Sequence, residues 1–66
     1  MKLIPIQNLP DEIQGDIDDT INCESWELVF YNPKTQAVRY YDGENCDSTK
    51  MMSLQESGFI QVNLGY

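Results

Sequence analysis

SWELVFYNPKTQAVRYYDG, residues 25–43, is the stretch on which the fold turns. Trp26, Leu28 and Phe30 alternate with Glu27, Val29 and Tyr31, the two-residue period of a strand with one face in a core. Asn32, Pro33, Lys34 and Thr35 are turn formers, and a second run follows with Val38 and Tyr40 on one side and Ala37, Arg39 and Tyr41 on the other. The stretch reads as a β-hairpin in which Phe30 faces Val38 and Leu28 faces Tyr40. That register gathers the large apolar groups on one face. Trp26, Leu28, Phe30 and Val38 are then core. Glu27, Val29, Tyr31, Arg39 and Tyr41 form an outer face, unusually aromatic for one in water.

Upstream lies LPDEIQGDIDDTIN, residues 9–22, with Leu9, Ile13, Ile17 and Ile21 at every fourth position. That spacing predicts a helix with one apolar stripe. Asn8 is placed to cap it, and Pro10 and Asp11 suit its first turn. Gly15 sits on the polar side and weakens the helix by about 1 kcal/mol relative to alanine. Residues 2–7, KLIPIQ, are extended but interrupted by Pro5, which fits a short edge strand or an irregular lead-in. Pro5 also excludes an arrangement that places this segment inside the sheet.

Downstream, Asp42-Gly43 opens a loop, and Asp47 or Ser48 caps a second helix over residues 48–57 that stops at Gly58. Met51 and Leu54 face inward, with Met52 as a third candidate. Residues 59–64, FIQVNL, form the last strand, with Ile60, Val62 and Leu64 on its inner side. The expected architecture is α+β in the order (β)αββαβ. It has a small antiparallel sheet of three strands, a fourth short N-terminal edge strand as an option, and both helices on one face. Residues 1–66 form a single small acidic domain, with no repeat and no linker.

Sixty-six residues lie near the lower limit for a stable core, burying only about 60% of the surface the unfolded chain exposes. A chain this short gains from a partner or from a second copy of itself, so a homodimer is within its reach. At 41% hydrophobic residues it is too apolar to stay disordered. Eleven acids against four bases give a formal charge of −7. A field of that sign repels nucleic acid and anionic membranes and favours cationic protein surfaces. The start, MKLIPIQNLP, lacks a signal-peptide pattern, and a cytoplasmic location is expected. Cys23 and Cys46 lack C-x-x-C spacing and are expected as free thiols there.

Histidine is absent from the composition, which removes the commonest general base and the usual activator of Ser or Cys nucleophiles. Two distant cysteines do not make a zinc site. Asp42, Glu44 and Asp47 have the outline of a weak cation loop, but a turn and a helix cap account for them. The isolated glycines match no phosphate-binding pattern. The expectation is a non-enzyme with no cofactor and no metal.

Two surfaces remain as candidates for protein binding. On the first helix, Glu12, Asp16 and Asp19 form one acidic line and Asp11 and Asp18 a second, with no basic residue between Lys2 and Lys34. Like charges at this spacing each cost a helix about 0.2–0.5 kcal/mol per pair. An uncompensated acidic row suits electrostatically steered binding, and simple solubility is the competing explanation. The second candidate is the hairpin's outer face, with Tyr31, Arg39 and Tyr41 as interface anchors; the competing explanations are that a helix or the N-terminal segment covers this face, or that its aromatics pair across the strands to stabilise the hairpin. In size, charge and lack of histidine the chain is similar to phage-encoded inhibitors that imitate nucleic acid. Such proteins block restriction enzymes, CRISPR effectors, DNA glycosylases or polymerases. The likeness is one of class, without a motif. The expected partner is a protein with a basic surface, of the kind that nucleic-acid enzymes carry. An antitoxin or immunity protein against a basic toxin is the first alternative. An accessory subunit docking through the tyrosine-rich hairpin face is the second.

Overall fold

Leu28, Val29, Phe30 and Tyr31 form a strand that is apolar at every position, and the fold is built around it. In the computed structural model, which describes residues 3–64, this strand (β2, Leu28–Tyr31) lies inside a four-stranded sheet. The chain runs β1 (Leu3–Pro5), a 3-10 turn (Ile6–Asn8), α1 (Asp11–Cys23), β2, β3 (Val38–Tyr41), α2 (Ser48–Glu56) and β4 (Ile60–Asn63). The spatial order is β1-β4-β2-β3. The α+β class and the order of elements are as the sequence predicts. Pro5 sits in an edge strand, where its missing N–H is harmless. Lys2, the expected first residue of that segment, lies outside the described residues.

Three features of the sheet correct the sequence reading. The sheet is mixed, because β1 pairs parallel to β4 while β2 is antiparallel to both β3 and β4. The hairpin register is shifted by one residue: Phe30 lies opposite Arg39, Val29 opposite Tyr40 and Tyr31 opposite Val38. The helices cover opposite faces, not one. Val29 and Tyr31 pack with Leu9, Ile17 and Val62, beneath α1. Phe30 packs with Cys46 and Leu54, beneath α2.

The register and the layering have one physical cause. A strand buried on both sides is apolar on both sides, so alternation no longer marks an inside and an outside. Val29 and Phe30 are successive residues that point to opposite faces, and both are 0% exposed. Chain direction enforces the layering. β3 and β4 run the same way with β2 between them, so the connection through α2 crosses β2 and lands on Phe30. The segment from β1 to β2 crosses β4 on the other side.

The apolar stripe of the first helix is core as expected, with Ile13 and Ile21 flanking the fully buried Ile17. The helix starts later than Asn8 predicts. Residues 6–8 close their own turn, with the Leu9 amide donating to the Ile6 carbonyl at 3.1 Å, and Pro10 takes the cap position. Gln14 ties the two pieces together, its Nε2 donating to the Leu9 carbonyl at 2.7 Å. In α2 the Asp47 carboxylate accepts from the Lys50 amide at 2.9 Å, one of the two caps foreseen. The helix closes on Gly58 at φ 94°, with the Phe59 amide donating to the Leu54 carbonyl and the Gly58 amide to Gln55. This paired ending also brings Leu54 and Phe59 into one apolar cluster. Met52 is 61% exposed and takes no part in it.

The hairpin loop is held by a residue that the sequence marks only as a turn former. Asn32 is 5% exposed, and its Nδ2 donates to the Ser57 carbonyl at 3.1 Å. Its Oδ1 accepts from the amides of Lys34 and Thr35 at 3.0 and 3.4 Å. One side chain thus joins the β2–β3 turn to the end of α2. Asn32→Ala removes these partners together and is expected to cost about 2–3 kcal/mol. The check is a matching fall in the urea midpoint without a change in slope.

The same loop contains a strained position. Gln36 has φ 61°, the left-handed region that L residues avoid, and its amide donates to the Asn32 carbonyl at 2.7 Å. Gln36→Gly relieves that strain but frees the unfolded chain, so the expected net gain is about 0.5–1 kcal/mol. A raised urea midpoint is the expected reading, and a lowered one contradicts the account.

Candidate functional site

Helix α1 positions the acidic candidates as its stripe requires. With Ile17 fully buried against the sheet, Asp11, Glu12, Asp16, Asp18 and Asp19 are all exposed on the outer side. Among the described residues none of these carboxylates has an ion-pair or hydrogen-bond partner. Asp11 and Glu12 stand in the first turn, where the helix dipole favours anions. Asp16, Asp18 and Asp19 have no such local benefit, and no base stands in the last turn. From Asp11 to Asp19 the axial rise is about 12 Å, or about one carboxylate per 3 Å. One strand of B-DNA carries about one phosphate charge per 3.4 Å of axis. Taken together, the two acidic lines therefore carry slightly more charge per unit length than one nucleic-acid strand, spread over a wider face of the helix.

The hairpin candidates are dispersed. Tyr31 is 4% exposed beneath α1, which corrects its expected outward position, and Val29 beside it is fully buried. Arg39 and Tyr41 lie on the other face of the sheet. The Tyr41 ring meets Phe30 edge-on at 5.9 Å and 73°, with Lys50 Nζ 5.6 Å from its centre. Arg39 is exposed, with its guanidinium 5.6 Å from the Phe59 ring and Nη1 donating to the Val38 carbonyl at 3.4 Å. The one-residue register shift separates Tyr31 from Arg39 and Tyr41, so the three share no common surface. Trp26, expected in the core, is half-buried just before β2. Its ring lies 6.3 Å from that of Tyr40, tilted by 38°, while its Nε1 donates to the Glu24 carboxylate at 2.7 Å. An indole N–H needs such a partner, and Glu24, the residue that ends α1, supplies it.

Two carboxylates of the loop before α2 have structural roles. Asp42 accepts from the backbone and side-chain nitrogens of Asn45 at 2.8 and 2.9 Å, and Asp47 caps α2. Among the described residues no group of three His, Cys, Asp or Glu side chains is placed to hold a metal ion. Cys23 is exposed and Cys46 is buried, and both are free thiols. Burial pushes the Cys46 thiol up from its ordinary value, the Asp47 carboxylate adds to this, and Lys50 opposes it. A buried, protonated thiol is a packing group and a poor nucleophile.

No protein-family model matches the chain, and no curated protein or solved structure matches it. Among the described residues, no helix is long and apolar enough to cross a membrane.

Proposed function

We propose that this chain is a non-catalytic inhibitor that docks the acidic ridge of α1 on a basic, nucleic-acid-binding surface of another protein. The observation that carries the reading is the ridge itself: five exposed carboxylates on one helix, without a basic partner among the described residues. Their charge spacing is close to that of a phosphate backbone, so a groove that binds phosphates offers them complementary charge. Asp16, Asp18 and Asp19 are the central contacts, and Asp11 and Glu12 extend the row. Arg39 and Tyr41 lie on the opposite side of the sheet, away from this contact.

The test is capture of partners from host lysate at low and at high salt, with DNA as competitor. The expected partner is retained at low salt, released at high salt and displaced by DNA. Asp16→Asn, Asp18→Asn and Asp19→Asn together are expected to weaken its binding about ten- to a hundredfold. The same triple change relieves repulsion along α1, so the urea midpoint should hold or rise. Undiminished binding by the triple variant overturns the reading. Weakened binding together with a lowered midpoint attributes the loss to unfolding.

A further inference from the structure

We draw no further inference here: the strongest candidate, the groove along the β1 edge of the sheet between Leu3, Ile4, Pro5, Asn8 and Ile60, is an unpartnered surface, and nothing in the structure shows what covers it.

Discussion

Phe30→Ala is expected to remove about 3–5 kcal/mol, a large part of the stability that a chain of this size holds. Phe30 is fully buried at the centre of the sheet, opposite Arg39 on β3 and Gln61 on β4. It is the group onto which α2 closes, with Leu54 and Cys46 beside it and Leu28, Met51, Tyr41 and Phe59 around them. Truncating a buried phenylalanine costs about 3–5 kcal/mol, as lost transfer energy plus the cavity left behind. A domain of this size has about 3–10 kcal/mol of stability in total. The nine residues of α2 cannot hold a helix in water without a packing face, so α2 is expected to loosen together with this cluster. Urea titration followed by circular dichroism is the measurement, with Phe30→Leu as the control. The leucine variant should fold, at a cost of about 1–1.5 kcal/mol. An alanine variant losing less than about 1 kcal/mol would contradict the packing of α2 on this face.

The contrast between Phe30 and Val29 shows how far the sequence could be read. Element order was legible because each element carries a local signal. Examples are the four-residue spacing of the isoleucines, the turn residues after Tyr31, the Asp47 cap and the glycine at position 58. Layering was not legible, because it depends on which strand becomes central. Only pairing with β4, some thirty residues away in the chain, places β2 inside the sheet. Once it is inside, both of its faces need cover, and the tyrosine expected in water becomes core. The continuous apolar run LVFY was the available signal of a doubly buried strand, against the alternating pattern that Glu27 and Trp26 suggest.

The acidic ridge was legible in full, since it follows from helical geometry once the buried stripe is known. Asn32 was not legible as a hub. Its partner, the Ser57 carbonyl, is fixed only when α2 has folded over the sheet. A polar residue at a turn gives no hint in sequence that it will be enclosed. The same dependence on long-range pairing dispersed Tyr31, Arg39 and Tyr41, whereas the acids of α1 stayed together on one helix.

Ile17→Ala is expected to cost about 2–5 kcal/mol and to loosen α1 in particular. Ile17 is 0% exposed and joins Leu9, Val29, Tyr31 and Val62 on the face opposite Phe30. Two clusters on opposite faces mean that this loss falls first on α1, whose thirteen residues are marginal as a helix without a packing face. Amide hydrogen exchange should therefore speed up within residues 11–23 before it does so in β2 and β4. Ile13→Ala, at a half-buried position on the same stripe, should show a smaller version of the same pattern. The substitution alters no charge, so it separates the charge of the ridge from its shape. A ridge that binds through ordered spacing loses affinity by the factor that the opening of α1 sets, with net charge still −7. Partner binding that stays undiminished while residues 11–23 exchange freely would show that charge alone is read, and the ordered-ridge account of the proposed contact would fall.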